Sequence, residues 1–420
     1  MTDIRSENIR LKTPPKVLED MCRHARRLNN DALRMIDLWY RITGEWLPYS
    51  RKKGDTRGSL YTLFRGTPDY SAVNAQSAQQ ALKLASDNWK SFFEALKAFK
   101  AEPWKFDGVP HPPKPVNRPL LTLFFTAQQV RIERRGDKCW FSLPGRTPGS
   151  IRVPLLAVQT RLDETTRLKG ARIVPRAGQF WLEILYAVDV PVPPTTPHKI
   201  AAIDLGAANL VTLVTNVGTK PLAVKGSVLK GMNQFFDKQV AKLQRLYQAQ
   251  GHRTGKARQR LNRKFHQKMD DYLHQLSRAI VNWCLKHQLD ALVVGYNPGW
   301  KQRKRRRRNF VRLGHSRLVE LLRYKCADAG ISFTTQREAY TSRCSFLDGE
   351  AVKKHRSYCG QRFQRALFRS ADGTVLNADV NAAYNILVLA FPQAFSSRNL
   401  ASNLLHPQVI ALDQFQTLGR

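Results

Sequence analysis

Residues 199–215 read Lys-Ile-Ala-Ala-Ile-Asp-Leu-Gly-Ala-Ala-Asn-Leu-Val-Thr-Leu-Val-Thr, and this stretch decides the fold. Two apolar runs, Lys199–Leu205 and Leu210–Thr215, flank Gly206 and predict two strands joined by a turn. Further along the chain, the pattern predicts a helical hairpin over 226–288, a buried strand at Leu289–Val294, a helix over 316–329, a strand at Ile331–Gln336 and a final helix at Ala378–Ala390. Because strands alternate with helices, we expect an α/β sheet with some parallel pairing.

The chain before residue 199 has a different pattern. Apolar residues recur at helical spacing over 17–43 and 71–99, and prolines then punctuate residues 103–119. Short β-type runs follow over 120–190 and predict a small β-barrel or sheet. A second proline-rich segment separates these runs from the α/β part, so we expect helical, β-rich and α/β regions in that order.

The charge balance restricts the class of partner. The chain contains 69 Lys and Arg residues against 32 Asp and Glu, a formal net charge of +37. Such an excess repels itself unless a polyanion neutralises it, and nucleic acid is the usual polyanion. An anionic membrane surface is the competing partner. A structural protein of the ribosomal type is a third interpretation, although such proteins are usually shorter and contain fewer acidic motifs.

The cysteines and the apolar runs indicate the compartment. The six cysteines are scattered along the chain, so we expect no disulfide framework and a location in the reducing cytoplasm. No apolar run approaches the roughly 18 residues that a membrane span needs. Charges throughout the first twenty residues argue against a signal peptide. We therefore expect no membrane partner.

Two aspartates are candidates for chemistry. Asp204 ends an apolar strand, where a carboxylate needs a partner or a metal, although a turn-forming aspartate is an equally good interpretation. Asp379 follows Asn377, a capping residue, and lies in the first turn of the final helix, where the helix dipole alone favours an acid. The small residues Ala382 and Ala383 suit a helix packed closely on a sheet. We therefore expect Asp379 to face the end of the strand that carries Asp204.

Four motifs carry a resemblance to a known family. Ala202–Asn209, Val293–Gln302, Glu338–Leu347 and Asn377–Ile386 occur in the order found in the TnpB nucleases encoded by insertion sequences, which are similar to the miniature RuvC-only CRISPR effectors. Over 1–198 only the order of the parts is similar. The resemblance implies an RNase H-like RuvC domain with an N-terminal helical recognition domain and a β-barrel wedge domain. The implied domains are a first wedge strand at 1–16, the recognition domain at 17–102, the wedge domain at 103–198, the first RuvC part at 199–336, a degenerate zinc-ribbon-like insertion at 337–376, the final RuvC helix at 377–392 and a tail at 393–420.

The resemblance also implies an activity. Members of this family are RNA-guided DNA endonucleases, in which a guide RNA pairs with one strand of the target DNA and the protein reads a short flanking motif. Their RuvC site uses three or four carboxylates to hold two Mg²⁺ ions, which activate water at a phosphodiester. By motif, Asp204 and Asp379 match the first and third acidic positions.

The second acidic position departs from the family. A glutamate is expected directly after the strand Ala291–Val294, but Gly295 stands there. Glu338 follows the next strand, and neighbouring strands lie about 4.8 Å apart, so its side chain can reach the same ions. The alternative is that Glu338 is a solvated loop acid. We predict that Asp204, Glu338 and Asp379 together form the catalytic and metal-binding set.

The zinc ribbon of the family is reduced in this chain. The family supplies two CxxC pairs, but only Cys344 and Cys359 remain, with His355 between them. Since structural zinc needs four ligands, we expect a ribbon remnant without zinc. Packing around aromatic residues should hold it, namely Phe346, Tyr358, Phe363 and Phe368.

Two basic segments are candidates for binding nucleic acid. Residues 241–270 carry nine Lys and Arg residues against one Asp, and residues 301–308 form a nearly continuous cationic run. Solvated faces, or a nuclear-targeting signal, are the plainer interpretations. We predict that the cations contact phosphate groups, and that Tyr296 and Trp300 stack on a base or belong to the core. The predicted contacts are Arg253, Lys256, Arg258, Arg260, Arg263, Lys264, Lys301, Arg303, Lys304, Arg305, Arg306, Arg307 and Arg308.

These observations leave three hypotheses for function. The first is a Mg²⁺-dependent, RNA-guided DNA endonuclease. The second is a guided or unguided DNA-binding protein that has lost cleavage, such as a repressor, and the glycine at position 295 keeps it open. The third is a structural RNA-binding protein, which the ordered acidic motifs disfavour.

Overall fold

The computed structural model describes residues 2–50, 58–106, 108–143, 155–176, 178–297, 313–396 and 398–418. The chain divides into two compact units, Thr2–Asp189 and Val190–Arg420.

The first unit combines helices with two antiparallel sheets. Its elements are β1 (Thr2–Leu11), α1 (Lys16–Thr43), α2 (Leu60–Phe64), α3 (Pro68–Ser71), α4 (Ala75–Ala101), β2 (Leu123–Thr126), β3 (Arg131–Arg135), β4 (Lys138–Leu143), β5 (Leu156–Thr160), β6 (Arg167–Arg176) and β7 (Gln179–Asp189). One sheet has the order β1-β7-β6-β2, and the other has the order β3-β4-β5. The described strands thus form two sheets where the sequence predicted a small barrel or sheet.

The two long helices of this unit pack along one another. Asn29 of α1 donates a hydrogen bond to the carbonyl oxygen of Ala81 in α4 at 3.0 Å. Further along, the ring of Tyr40 lies 5.7 Å from the ring of Trp89, which is fully buried. The predicted helices over 17–43 and 71–99 therefore exist with nearly these bounds, because their apolar residues form the contact between them.

The second unit contains a mixed six-stranded sheet. Its elements are β8 (Ile200–Asp204), β9 (Asn209–Thr215), β10 (Leu222–Lys225), α5 (Ser227–Ala249), α6 (Lys256–Lys286), β11 (Ala291–Gly295), α7 (His315–Asp328), β12 (Ser332–Gln336), β13 (Gln361–Gln364), β14 (Leu367–Arg369), β15 (Val375–Asn377), α8 (Ala378–Ala390), β16 (Gln408–Ile410) and α9 (Leu412–Leu418). The strand order is β12-β11-β8-β9-β10-β16. Strands β12, β11 and β8 are parallel, and β9 runs antiparallel to β8.

Helices cover both faces of this sheet. In β8, Ile200 and Ala202 pack against α8, whereas Ala201 and Ile203 face the core formed with α6 and α7. Strands buried on both faces have no polar side to present, which is why β8 and β11 read as continuous apolar runs. The unit is therefore a three-layer α/β arrangement, as the alternation of strands and helices predicts.

The last 28 residues, expected as a tail at 393–420, belong partly to this fold. Strand β16 pairs in parallel with β10, and Phe415 of α9 is fully buried in the core with α6. Helix α8 is thus not the final helix. The segment is too short for periodicity to reveal a strand, and its apolar residues are buried only through distant partners. None of the described helices is long and apolar enough to span a membrane.

Candidate active site

Three acidic side chains meet at one edge of the six-stranded sheet. Asp204 ends β8, and Glu338 lies two residues beyond the end of β12. Because β8, β11 and β12 are parallel, their carboxyl ends share this edge. Asp379 comes from the other direction, in the first turn of α8, where Asn377 caps the helix by accepting the backbone N–H of Asp379 at 3.0 Å. Asp379 thus faces the end of the strand that carries Asp204, as the sequence predicts.

Burial and neighbouring charges determine the pKa of Asp204. Burial raises the pKa of this half-buried carboxyl well above its usual value, and the negative charges of Glu338 and Asp379 raise it further. Arg362 acts in the opposite direction. Burial also raises the pKa of Glu338 to about 7. Burial and mutual repulsion therefore make full ionisation of this cluster unfavourable unless a cation balances it.

The side chain of Glu338 occupies the space that a side chain at position 295 would need. Gly295 ends β11 and pairs with Gln336 of β12. A Cβ atom on Gly295 would lie 2.5 Å from Oε1 of Glu338 and 2.9 Å from its Cγ, and it would also collide with Cδ1 of Ile386. Val294 of β11 pairs with Ile203 of β8, and the two strands are parallel. Gly295 therefore lies beside Asp204, the next residue of β8. The Glu338 carboxylate consequently lies beside the point where the Cβ atom of a glutamate at position 295 would be.

Two asparagines orient the carboxylates. Asn297 donates from Nδ2 to Oε2 of Glu338 at 3.2 Å and accepts the backbone N–H of Glu338 at 3.2 Å. Asn209 donates to Oδ2 of Asp379 at 2.8 Å. Arg362 places Nη2 3.7 Å from Oδ1 of Asp379. No sequence pattern signals these three roles, although Asn209 and Asn297 lie within the first and second motifs.

A histidine supports the turn after β8. Nε2 of His315, the first residue of α7, donates to the carbonyl oxygen of Gly206 at 3.1 Å. Burial lowers the pKa of His315 to about 4, and the hydrogen bond to Gly206 offsets part of that effect. The ring is therefore neutral near pH 7.

Buried asparagines of α8 fix the segment after Glu338. Asn385 donates to the carbonyl oxygens of Thr341 at 2.9 Å and Cys344 at 2.7 Å. Asn381 donates to the same oxygen of Cys344 and accepts the backbone N–H of Phe346, both at 2.9 Å. Helix α8 thus positions Asp379 and the chain that follows Glu338 at once.

The donor set suits a hard cation. Carboxylate oxygens are the preferred ligands of Mg²⁺, and Oε1 of Glu338 is buried with no hydrogen-bond partner among the described residues. As they stand, the described His, Cys, Asp and Glu side chains form no group of three ready to hold an ion. The neighbouring acids and the oxygen without a partner nevertheless fit a cation at this edge.

The ribbon remnant is organised around a buried acid. Glu350 accepts the backbone N–H of Ser345 at 2.8 Å through Oε2 and that of Cys359 at 3.2 Å through Oε1. His355 lies 3.9 Å from the same carboxylate. Phe346 stacks on Tyr384 of α8, with ring centroids 4.8 Å apart. Of the expected aromatic anchors, Phe346 and Phe368 are buried, whereas Phe363 is exposed. Glu350 therefore joins the two cysteine-bearing loops, a role that no sequence pattern signals.

The predicted nucleic-acid contacts divide into two groups. Arg253, Lys256, Arg258, Arg260, Arg263 and Lys264 lie on the loop before α6 and on its first turns, and most of them are exposed. Lys301 and residues 303–308, together with Trp300, lie outside the described residues. Tyr296 packs partly buried against the core rather than standing free.

Comparisons with known proteins agree with this architecture. Residues 183–301 match a family described as a probable transposase (OrfB_IS605), and residues 315–386 match the TNB domain of Cas12f1-like proteins. Curated protein sequences gave no significant match.

Two solved structures are also similar to the chain. The structure titled "Cryo-EM structure of the Cas12f1-sgRNA-target DNA complex" has 15% identity, covers 88% of this chain and 82% of its own, and superposes with a TM-score of 0.55. A mini-RNA-guided endonuclease, CRISPR-Cas_phi3, has 11% identity over 93% of this chain and 92% of its own, with a TM-score of 0.47. At such identities the first likeness shows a shared fold. By the two family matches and this fold, the chain is a TnpB-like protein.

Proposed function

We propose that this chain is an RNA-guided DNA endonuclease whose acidic residues Asp204, Glu338 and Asp379 hold Mg²⁺ at the DNA phosphodiester to be cut. One observation carries the proposal. The Glu338 carboxylate lies against Gly295, where the family places a glutamate, and it raises the pKa of Asp204 together with Asp379. In this proposal, Glu338 after β12 takes the place of the acid that is absent at position 295 of β11.

The residues around the acidic cluster have different roles in the proposed cleavage. Two bound Mg²⁺ ions would activate a water molecule and stabilise the leaving oxygen. Asp204 supplies a carboxylate fixed by its strand, while Asn297 and Asn209 orient Glu338 and Asp379. Arg362, beside Asp379, donates from Nε and Nη2 to the carbonyl oxygen of Arg365, and its remaining N–H groups are available to bind a phosphate oxygen.

The partners of this proposal are a guide RNA and a target DNA. The formal charge of +37 calls for a polyanion, and the exposed cations of α6 offer contacts to phosphate groups. The solved structure with the same fold is titled as a complex with a single-guide RNA and target DNA. RNA pairing would then supply sequence specificity, while the protein contributes backbone contacts and cleavage.

Relocating the acid tests the site. Glu338→Gln should lower DNA cleavage by at least roughly 100-fold, since even groups that only orient metal ligands contribute about 10–100-fold. A triple variant combines Glu338→Gly, Gly295→Glu and Ile386→Val. It moves the acid from position 338 to β11, and the valine removes the Cδ1 atom that would collide with the new side chain. We expect this variant to regain measurable cleavage.

Glu320→Gln is the matched control, because Glu320 is an exposed acid on α7. It should cleave at the rate of the unaltered protein. Full activity in Glu338→Gln would contradict the assignment. No cleavage by the unaltered protein, with guided DNA binding intact, would instead favour the binding-only alternative.

The guide is tested separately. Protein produced from its native locus should carry one structured RNA encoded near its own gene, because a dedicated guide is bound before the target. Sequencing of the RNA that co-purifies measures this. A heterogeneous mixture of cellular RNA would argue for general RNA binding instead.

A further inference from the structure

The loop after β12 contains a tyrosine in an unfavourable backbone conformation. Tyr340 has a φ of 65°, which lies in the left-handed region that a bulky side chain rarely adopts. Among the described residues other than glycine, Gln288 is the one other residue with a positive φ. Gln288 lies just past the end of α6, where a left-handed residue commonly terminates a helix. Tyr340 instead lies in a loop, so this explanation does not apply to it.

Contacts on both sides of Tyr340 hold the loop in place. Before it, Asn297 accepts the backbone N–H of Glu338 at 3.2 Å. After it, Asn385 donates to the carbonyl oxygen of Thr341 at 2.9 Å, and Thr341 is buried. Left-handed residues that the surrounding structure holds in this way cluster at active sites and ligand-binding sites. The conformation therefore indicates a role for the side chain that it presents.

The ring of Tyr340 is available to a ligand. The residue is 37% exposed, and among the described residues no aromatic ring and no cation stacks on it. Arg337 and Arg343, three positions before and after it, are exposed and form no ion pair with a described acid. An exposed aromatic ring between cations is typical of sites for single-stranded nucleic acid, in which bases stack on the rings and cations follow the backbone.

Tyr340 also lies close to the acidic cluster in the chain. It follows Glu338 by two positions, and two positions span at most about 7 Å between Cα atoms. A base next to a phosphodiester at the acidic cluster is therefore within reach of the ring.

We propose that the ring of Tyr340 stacks on an unpaired base of the DNA strand to be cut, beside the phosphodiester held at the acidic cluster. The inference rests on the proposed nuclease function and adds a residue that binds its substrate. Because every base has a π-face, such a contact holds the strand without reading its sequence.

The test measures binding of DNA rather than cleavage. All proteins carry Asp204→Ala, so that the DNA stays intact. The probes are a fluorescent decamer of thymidine and a decamer with the same sugar–phosphate backbone but without bases. Tyr340→Leu should weaken binding of the thymidine decamer about tenfold, since stacking of one base contributes affinity of this order, and should leave the other decamer unaffected. Tyr340→Phe should bind both decamers like the parent protein.

Arg343→Gln is the matched control, because it removes a cation from the same loop and leaves the ring in place. It should weaken both decamers equally, and this loss should shrink as the salt concentration rises, because phosphate contacts release counterions. The loss in Tyr340→Leu should persist at high salt.

A second pair of variants tests the backbone. Tyr340→Gly and Tyr340→Ala both remove the ring, but glycine adopts a positive φ without a steric penalty. The glycine variant should therefore unfold roughly 2–4 °C above the alanine variant, while both share the binding defect of Tyr340→Leu. Equal unfolding temperatures would contradict the left-handed conformation from which the inference starts.

The binding results distinguish this inference from the nuclease proposal. Unchanged binding in Tyr340→Leu, or equal weakening of the two decamers, would mean that the ring stacks on no base. A Tyr340→Phe variant as defective as Tyr340→Leu would assign the contact to the hydroxyl and overturn stacking. None of these results bears on the need for Glu338 in cleavage. A selective loss of the thymidine decamer, combined with no cleavage by the unaltered protein, would support the stacking contact and count only against the nuclease proposal.

Discussion

Asp204, Glu338 and Asp379 lie at one edge of the sheet, and the proposed site requires Glu338 to supply the acid that the family carries at position 295. Glu338 is separated from Gly295 by 43 positions, yet its Oε1 would lie 2.5 Å from a Cβ atom there. A glutamate that follows one strand thus places its carboxylate beside the end of the adjacent strand. A side chain at position 295 is incompatible with this placement of Glu338, because Glu338 and Ile386 fill the volume that it would need.

A pH effect is expected from His315. Its pKa is about 4 in the folded protein against 6.5 for a free side chain. Between these values the unfolded chain binds a proton at this histidine that the folded one does not, so the contribution of His315 to the free energy of unfolding should fall as pH drops from 6.5 towards 4, by on the order of a few kcal/mol. The raised pKa values of Glu338 and Asp204 act in the opposite direction, because the folded protein keeps protons there that the unfolded chain releases.

Urea unfolding at pH 7 and pH 5 measures this effect. The difference in the free energy of unfolding between His315→Gln and the unaltered protein should shift in favour of the variant by roughly 2 kcal/mol from pH 7 to pH 5. The same difference for His406→Gln, at an exposed position of the same unit, should not change. A His315→Gln variant with the pH dependence of the unaltered protein would contradict the contribution assigned to His315.

At the level of elements, α8 organises the site from both of its ends. Its first turn carries Asp379, and its buried asparagines hold the chain that follows Glu338. Apart from Asp379 and these two asparagines, small and apolar residues dominate the helix because it packs on the sheet. A shift of α8 would therefore move two of the three acids together.

Helix α9 should contribute strongly to stability despite its seven residues. Phe415→Ala removes a fully buried ring from the core with α6 and should lower the free energy of unfolding by about 3–5 kcal/mol. Leu418→Ala, whose side chain is 38% exposed, is the control and should change it by about 0.5 kcal/mol or less. Chemical denaturation measures both, and equal small effects would mean that α9 packs only loosely.

At the level of the whole molecule, the distribution of charge should govern binding of nucleic acid. Replacing Arg260, Lys264 and Lys268 of α6 with Gln should reduce the slope of log K against log salt by about 0.7 per lost contact on single strands. Titration at several salt concentrations measures the slope.

The matched control removes three positive charges from a surface away from the first turns of α6. Lys199, Lys220 and Lys286 are exposed near the opposite edge of the six-stranded sheet, because β8 and β11 begin there and β9 ends there. Replacing these three with Gln should leave the slope nearly unchanged. An equal decrease in both variants would mean that net charge alone, and not α6, determines binding.

The sequence by itself determined most of the secondary structure and the position of two acids. Helix α8 has the predicted bounds, and β11, β12 and α7 differ from prediction by one or two residues. These elements have strong periodicity or continuous apolar runs, which local sequence records directly. Asp204 and Asp379 were predictable because each stands at the end of such an element. The order of the four motifs also identified the family, which the matches to residues 183–301 and 315–386 confirm.

The contacts around these acids depend on parts of the chain that are far apart in sequence. Asn209 reaches Asp379 across 170 positions, and Asn297 reaches Glu338 across 41. Strand β16 and α9 likewise acquire their place from partners far away in the chain. Hydrogen bonds and burial of this kind depend on which surfaces meet after the sheet has formed. No local periodicity carries that information, because the same asparagine or short apolar run is equally compatible with an exposed loop.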